Sequence, residues 1–217
     1  EGTPYEHGFY AFDFDFSGDY PFVQPKIVYH SIGANIPQLI KFKTKSKKAK
    51  KSLIPRIHPN LYQDGYVCLS IIGTWRGDGW SPCYNIQSIS VDLQTLLVEN
   101  PITKEPSFEK ETGHISKLYQ FMITHANIRI SVIGMLKSTP DKYTSVRHKM
   151  IEYFLNHFDS YINICDKYKN HKWNKTTLIM KLYNWHEHIN FNKLRINLIK
   201  LKKELEPQLT DIQKTIS

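Results

Sequence analysis

The spacing of hydrophobic residues changes along this chain, and that change constrains the fold more than any other feature. Within residues 8–16, Phe12, Phe14 and Phe16 alternate with polar residues, which predicts a β-strand with one buried face. A turn-forming stretch follows, and residues 25–29 then form a second predicted strand, most simply an antiparallel neighbour of the first. The N-terminal part of the chain therefore indicates a β-meander.

From residue 86 onward, hydrophobic residues fall at steps of three and four, which is typical of helices that pack on a core. The first such segment should end near Pro101, because proline removes an amide donor and clashes with the preceding turn. Longer helical patterns cover residues 116–137, 142–168 and 175–206. We predict an α+β chain with a core domain over residues 1–115 and a helical extension over residues 116–217.

The last helical pattern carries an apolar stripe of four leucines. These are Leu194, Leu198, Leu201 and Leu205. Their spacing of four, three and four places them on one face of a helix. Packing against the chain's own helices is the simpler interpretation, and a partner helix or a self-association seam is the alternative.

A lysine-rich insertion at residues 31–55 interrupts the predicted meander. Residues 41–52 contain seven lysines and no acid, and without those lysines the net charge falls from +9 to +2. This basic loop suits an acidic partner such as nucleic acid, acidic lipid or a nuclear import receptor, or self-modification, or it is only a solvated loop. A sequence-specific nucleic-acid reader is not indicated, because no reading helix or aromatic platform accompanies the lysines.

Other features of the sequence exclude several classes of protein. No apolar run reaches the ~20 residues of a membrane span, and no secretory signal is recognisable. The cysteines Cys68, Cys83 and Cys165 are widely spaced and lack metal-ligand spacing, which favours a reducing intracellular setting, cytoplasmic or also nuclear. The sequence begins with Glu1 and not Met, which predicts that it is part of a longer chain.

One constellation of residues points to chemistry. It consists of His58-Pro59-Asn60, then Cys68 eight residues later, then Trp80-Ser81-Pro82 and Glu99-Asn100-Pro101. This order resembles the ubiquitin-conjugating enzymes, in which a His-Pro-Asn bend precedes the active cysteine in a Val/Ile-Cys-Leu context. Residues 2–5 and 19–22 also match the first strands of that family. Residues 69–75 and 152–159 are similar to its large Z-type branch, which has a C-terminal helical extension.

The resemblance implies a fold and a reaction. The fold is an antiparallel β-meander with a crossing helix, followed here by the helical extension. Cys68 would accept ubiquitin or a ubiquitin-like modifier from the ubiquitin-activating enzyme as a thioester, and pass it to a lysine of a protein substrate with the help of a ubiquitin ligase. A thioester suits this role because it is stable enough to carry yet more reactive than an amide. No cofactor or metal is implied, since the activating enzyme uses the ATP.

The resemblance also assigns supporting roles. Asn60 would stabilise the tetrahedral oxyanion, or only shape the bend around Pro59, and the two roles are compatible. His58 is expected to be structural, as is Pro59, because this bend is not the arrangement of a Cys-His nucleophile pair. Glu105 is expected to orient the acceptor lysine, with Glu99 as the less favoured candidate, although either could be a solvated loop charge.

Two loops match the positions at which the family meets its ligases. The first contains Tyr29, and the second contains Trp80, Ser81 and Pro82. An exposed aromatic residue beside a proline would anchor a partner, and packing of Trp80 onto the core is an equal alternative. The long insertion after Tyr29 departs from the family, as does the lack of the N-terminal helix that helps docking on the activating enzyme.

A module of the same fold that binds ubiquitin or acts as a scaffold without turnover is the alternative function. Such inactive variants typically lack the active cysteine, so Cys68 favours the enzyme. A third interpretation takes the lysine-rich loop as the main functional element and predicts salt-dependent binding to DNA or RNA.

Overall fold

The computed structural model of the 217-residue chain describes residues 2–30, 55–139 and 144–216. The lysine-rich segment at residues 41–52 lies outside these ranges. Within them, no helix combines the length and the apolar character that crossing a bilayer requires.

The two N-terminal strands form as the alternation predicts. β1 (Ala11–Asp15) pairs with β2 (Lys26–His30) in an antiparallel register that places Phe12 opposite Tyr29. Both aromatic rings lie on the buried face, with 5.5 Å between their centroids. The pair therefore forms one wall of the apolar core.

The second edge of β2 carries the segment that leads to Cys68. Val28 forms an antiparallel bridge with Tyr66, and the amide of Tyr29 donates to the carbonyl of Gly65 at 2.9 Å. Gly65 has a φ of +94°, and a Cβ there would lie 2.9 Å from Val28 Cγ1 and 3.0 Å from the Tyr29 carbonyl oxygen. Only glycine allows the backbone to approach β2 so closely.

The crossing helix α1 (Ile86–Leu96) begins at a capping box. The Asn85 side chain accepts from the Ser88 amide at 3.0 Å, and the Ser88 hydroxyl accepts from the Asn85 amide at 3.4 Å. Its buried residues are Ile89, Leu93 and Leu96. The buried face is narrower than the sequence pattern indicated, because Ile86 and Val91 are 49% and 55% exposed.

The predicted helix over residues 116–137 is one continuous helical stretch with a change of winding. It consists of α2 (His114–Ala126), a π-helical part (Asn127–Gly134) and α3 (Met135–Lys137). The predicted boundary after residue 115 falls in the first turn of α2. Buried residues before and after that point belong to one apolar core.

The predicted helix over residues 142–168 is two helices, α4 (Thr144–Asn156) and α5 (Phe158–Tyr168). They are separated at His157, which has φ −107° and ψ 16°. The His157 ring stacks on Tyr153, and its Nδ1 lies 2.8 Å from the Tyr153 carbonyl oxygen. The His157 side chain lies against a carbonyl of the last turn of α4, and the α-helical conformation is interrupted there although no proline or glycine stands at that point.

The prediction of a helix over residues 175–206 is wrong in its first half, which is a β-hairpin. β3 (Thr177–Met180) pairs antiparallel with β4 (Trp185–His188). In β4 the buried positions alternate with exposed ones, but one of the buried positions is held by Glu187. A carboxylate at a core position hides the period-two pattern that would have predicted a strand.

The turn of this hairpin contains a short 3₁₀ helix (Lys181–Tyr183) followed by Asn184 in the left-handed region. The last helix, α6 (Phe191–Ile216), begins directly after the hairpin and packs on α4 and α5. The four leucines of its stripe are buried. The interpretation that the stripe packs against the chain's own helices is thus confirmed.

Candidate active site

Two buried tyrosines fix the backbone just before the bend at Asn60. The hydroxyl of Tyr5 donates to the carbonyl of Ile57 at 2.7 Å, and the hydroxyl of Tyr119 donates to the carbonyl of Arg56 at 2.7 Å. Burial raises the pKa of both tyrosines well above its ordinary value, so both hydroxyls remain donors. The N-terminal turn and α2 therefore anchor the segment on which the site is built.

Asn60 and Cys68 are joined by two hydrogen bonds of opposite direction. The Cys68 amide donates to the Asn60 carbonyl at 2.9 Å, and Asn60 Nδ2 donates to the Cys68 carbonyl at 2.9 Å. Asn60 is buried, and its Oδ1 has no hydrogen-bond partner in the described part of the chain. An amide nitrogen carries two hydrogens, so one N–H of Asn60 remains beyond the bond to Cys68.

His58 holds the bend as a neutral ring. The Asn60 amide donates to His58 Nδ1 at 3.0 Å, which places the ring proton on Nε2. Burial lowers the pKa of His58 to about 3, and the Leu96 carbonyl offsets part of that shift without meeting hydrogen-bond geometry. A ring whose Nδ1 is already used by the backbone supports the predicted structural role and not that of a base.

Cys68 is buried, with 4% of the residue exposed. Burial raises the pKa of this thiol, while a hydrogen bond from the Tyr62 hydroxyl and the positive charge of Arg56 act in the opposite direction. Cys68 is therefore a protonated thiol at neutral pH, with two neighbours that favour its thiolate.

The loop after Cys68 closes onto the same segment through Thr74. The Thr74 hydroxyl donates to the carbonyl of Val67 at 2.8 Å and accepts from the amide of Leu69 at 2.9 Å. The backbone on both sides of Cys68 is thus fixed by one side chain. Beside it, a groove of about 320 Å³ runs between Ser70 and α1.

Arg56 lies between two aromatic rings next to the bend. Its guanidinium carbon is 3.6 Å from the centroid of Tyr62 and 5.1 Å from that of Tyr183, and Nη2 donates to the Pro59 carbonyl. Arg56 lies two residues before the His58–Asn60 motif, and Tyr62 lies two residues after it. This regular spacing of two could have marked both residues as neighbours of the site. Tyr183 gives no such sign, because it lies far away in the extension.

The two candidate acidic residues have different surroundings. Glu105 Oε2 accepts a hydrogen bond from the Tyr183 hydroxyl at 2.7 Å, and burial together with this carboxylate raises the pKa of Tyr183. Glu99 is exposed and lines a separate groove of about 740 Å³ beside α2 and α5. Glu105 is thus connected to Arg56 through one tyrosine, whereas Glu99 opens onto the helical extension.

Tyr29 is not the exposed contact residue that the sequence led us to expect. It is 6% exposed and packs on Phe12 in the core. Its position on β2 explains this, because alternate residues of that strand face inward. Its neighbour Val28 is 41% exposed and lies on the outer face.

Trp80 packs onto the N-terminal part of the core. Its indole Nε1 donates to the carbonyl of Pro21 at 2.7 Å, and its ring lies 5.9 Å from that of Tyr84. Ser81 is half-buried and Pro82 is exposed. Of the predicted ligase-facing residues in this loop, Pro82 therefore presents the most surface.

All three cysteines are free thiols. Cys83 is exposed, while burial raises the pKa of Cys165 in α5 to about 12. In the ranges that the structure describes, no three His, Cys, Asp or Glu side chains are arranged to hold a metal ion.

Comparisons with known proteins agree with this geometry. Residues 1–122 match the family model described as ubiquitin-conjugating enzyme. The chain is 35%, 37% and 36% identical to proteins named ubiquitin-conjugating enzyme E2 Z from Xenopus tropicalis, Danio rerio and Homo sapiens, in each case over 75% of its length. It spans less than half of those relatives, namely 47%, 44% and 41%. This chain belongs to the ubiquitin-conjugating enzyme family.

Proposed function

We propose that this chain accepts ubiquitin, or a ubiquitin-like modifier, as a thioester on Cys68 and transfers it to a lysine of a protein substrate. The observation that carries the proposal is the reciprocal pair of hydrogen bonds between Asn60 and Cys68, which holds a thiol and a side-chain amide in one rigid segment. The donor is the ubiquitin-activating enzyme, and a ubiquitin ligase assists the transfer. ATP is consumed in the activating step, so this chain needs no cofactor.

Loading exchanges a proton for an acyl group. The S–H bond of Cys68 breaks, its sulfur bonds to the carbonyl carbon at the ubiquitin C-terminus, and the group that activated that carbonyl departs and takes up the proton. The Tyr62 hydroxyl and the Arg56 charge favour the thiolate that attacks. Because burial keeps the resting thiol protonated, Cys68 is protected from oxidation until the acyl donor arrives.

Discharge passes through a tetrahedral oxyanion when the lysine amine attacks the thioester carbonyl. The C–S bond then breaks and Cys68 leaves as a thiolate, and the proton that the amine loses restores the Cys68 thiol. The second N–H of Asn60 is available to stabilise the oxyanion, and its first N–H shapes the bend through the Cys68 carbonyl. Both roles that the sequence allowed for Asn60 are compatible with this geometry.

Glu105 is the better candidate for orienting the acceptor lysine. A carboxylate can hold an incoming ammonium group and accept its proton. One oxygen of Glu105 is occupied by the Tyr183 hydroxyl, and the other has no partner within the described ranges. The role of Glu105 in the reaction follows from the resemblance and is supported by its connection to Arg56.

The test is a charging assay on the full-length protein with activating enzyme, ATP and ubiquitin, run on non-reducing gels. We expect an adduct of one ubiquitin mass that reductant removes. The Cys68→Ser variant should give a slowly formed, reductant-resistant ester or no adduct at all.

Cys83→Ser is the matched control, because Cys83 is an exposed thiol on the same chain. It should charge at the wild-type rate. If the wild type forms no adduct with any activating enzyme, the transferase proposal fails. The alternative of a ubiquitin-binding module without turnover would then be preferred.

A further inference from the structure

Tyr183 connects the C-terminal extension to the core. It lies in the turn between β3 and β4 and is 9% exposed. Its hydroxyl donates to Glu105 Oε2 at 2.7 Å, and its ring centroid lies 5.1 Å from the guanidinium carbon of Arg56. One residue of the extension thus contacts two charged groups that belong to the core.

Arg56 extends this connection to the thiol. Its guanidinium carbon lies 3.6 Å from the centroid of Tyr62. The Tyr62 hydroxyl and the Arg56 charge both act to lower the pKa of the Cys68 thiol, against the effect of burial. No carboxylate among the described residues pairs with Arg56, and its buried Nε has no hydrogen-bond partner there. The cation is held by two aromatic faces, of which Tyr183 supplies one, and by its hydrogen bond to the Pro59 carbonyl.

We infer that Tyr183 is a positioning residue for the thioester site, whose ring keeps Arg56 over Tyr62 and whose hydroxyl holds Glu105 in one orientation. The inference rests on the proposed function and deepens it, because it makes the extension a working part of the site. Ring and hydroxyl have separate tasks: the ring acts on the Cys68 side and the hydroxyl acts on the acceptor side.

The two tasks are separated by two substitutions at the same position. Tyr183→Phe keeps the ring and removes the hydroxyl, and Tyr183→Leu removes both while leaving an apolar side chain of similar burial. Alkylation of Cys68 by iodoacetamide, followed by peptide mass spectrometry across pH 6.5–9, reports the thiolate without any need for ubiquitin. The exposed thiol of Cys83 is the internal reference in every sample.

We expect Tyr183→Leu to slow alkylation of Cys68 at neutral pH about threefold, the change that half a pKa unit produces. The direction follows from charge: a displaced Arg56 no longer stabilises the thiolate, so the pKa of Cys68 rises and less thiolate is present. Tyr183→Phe should alkylate at the wild-type rate, because phenylalanine also offers a face to a cation.

Single-turnover discharge of the charged protein to free lysine tests the hydroxyl. Tyr183→Phe should slow discharge about fivefold with loading unchanged, a loss of about 1 kcal/mol, which is the usual size for one hydrogen bond. Combining it with Glu105→Gln should slow discharge no further than Glu105→Gln alone, since the hydroxyl acts on discharge only by orienting the carboxylate that Glu105→Gln removes.

Tyr161→Phe is the matched control. Tyr161 is also a buried tyrosine of the extension, and its hydroxyl donates to the core at the His7 carbonyl, 2.8 Å away. It should leave alkylation and discharge unchanged.

The inference is overturned if Tyr183→Leu alkylates like the wild type, or if Tyr161→Phe slows discharge as much as Tyr183→Phe. Failure of the proposed function would be recognised by a different result, namely that the wild type forms no thioester adduct in the charging assay. The alkylation series still decides the role of Tyr183 in that case.

Discussion

Two buried histidines, His125 in the extension and His58 in the core, differ in how completely their ring nitrogens are hydrogen-bonded. In the extension, His125 Nε2 accepts from the Asn190 amide at 3.0 Å, so the ring proton is on Nδ1 and is donated to Glu187 Oε1 at 2.8 Å. In the core, His58 uses Nδ1 as the acceptor for the Asn60 amide, and its Nε2 has no hydrogen-bond partner among the described residues. Both rings are buried and neutral, but only one is fully paired.

The surroundings of the two rings differ in the same way. Glu187 accepts two hydrogen bonds from Arg129, both at 2.8 Å, and one from Trp185 at 3.2 Å, besides that of His125. We call these four residues the Glu187 cluster. It joins α2, the π-helical part and the hairpin into one unit.

Near the bend, by contrast, polar atoms remain unpaired. Within the described ranges, three of the four buried side-chain atoms without a hydrogen-bond partner belong to Arg56, His58 and Asn60, and the fourth belongs to Asp92. Unpaired buried polar atoms cost stability and concentrate where function requires them. The Glu187 cluster is thus fully paired and contributes stability, whereas the unpaired atoms at the bend cost stability, as expected if Asn60 has the role proposed above.

The largest expected effect is on stability and concerns Glu187. Glu187→Ala leaves the positive charge of Arg129 and the ring of His125 buried without their partner, so we expect the free energy of unfolding to fall by about 3–5 kcal/mol. Urea denaturation followed by circular dichroism measures this change.

The control for Glu187 is Asp166→Ala, which removes a surface carboxylate, 34% exposed, that is paired with Lys169 and Arg195. Such surface pairs contribute at most about 1 kcal/mol. If the two variants lose equal stability, the Glu187 cluster contributes no more than a set of surface charges. The proposed difference between this cluster and the bend would then be contradicted.

Asn60→Ala should show the opposite balance of effects. We expect discharge of the thioester to lysine to slow by about 100-fold or more, the usual result of removing one oxyanion donor. Stability should fall by only about 1 kcal/mol, because the lost bond to the Cys68 carbonyl is partly offset by removal of the unpaired Oδ1.

Single-turnover discharge and urea denaturation on the same protein give both numbers for Asn60→Ala. A normal discharge rate with a large loss of stability would leave Asn60 with the bend-shaping role alone. The polar groups around the bend would then contribute to stability, as the Glu187 cluster does.

The dependence of stability on pH distinguishes the two regions in a third way. Burial lowers the pKa of His58 from 6.5 to about 3, so the unfolded state binds this proton first and stability falls as pH drops from about 6.5 towards 3. For Glu187, burial alone would raise the pKa, but the Arg129 charge and the His125 hydrogen bond outweigh it and lower the pKa from 4.5 to about 2. The stability that Glu187 contributes is therefore lost only below pH 4.5.

His58→Asn should therefore reduce the slope of stability against pH between 6.5 and 4.5 by about one proton, or about 1.4 kcal/mol per pH unit. Asn offers an oxygen where His58 Nδ1 accepts from the backbone, so the bend can persist. Burial also lowers the pKa of His125, so in the His58→Asn variant the free energy of unfolding should still depend on pH through this group. Urea denaturation of wild type and variant at several pH values measures the difference, and parallel curves would show that His58 does not titrate on unfolding.

Local patterns predicted much of the fold and the centre of the site. The alternation before β2, the helical spacing in α1 and the motif around Cys68 are all short-range features, and the structure brings Asn60 and Cys68 together as the resemblance implies. Tyr29 shows the limit of such transfer, because a position that matches a ligase contact in the family is here on the inner face of a strand.

Other parts could not be predicted, for identifiable physical reasons. Glu187 occupies a buried strand position, so the hydrophobic alternation of β4 was hidden. The contact between Tyr183 and Glu105 joins residues 78 positions apart and depends on that hairpin. A sequence read in short windows carries no information on such a pair.

The smallest expected effect comes from Thr74, which shows that the backbone around Cys68, unlike the side chains of the bend, is fully paired. Thr74→Val keeps the shape of the side chain but leaves the Leu69 amide and the Val67 carbonyl without their partner, so we expect a loss of about 1–2 kcal/mol in unfolding free energy. Thr74→Ser keeps the hydroxyl and should cost less than about 0.5 kcal/mol. Equal denaturation midpoints for the two variants would mean that water replaces the hydroxyl, and that the rigidity of this segment comes from its apolar packing and the bonds to Asn60 alone.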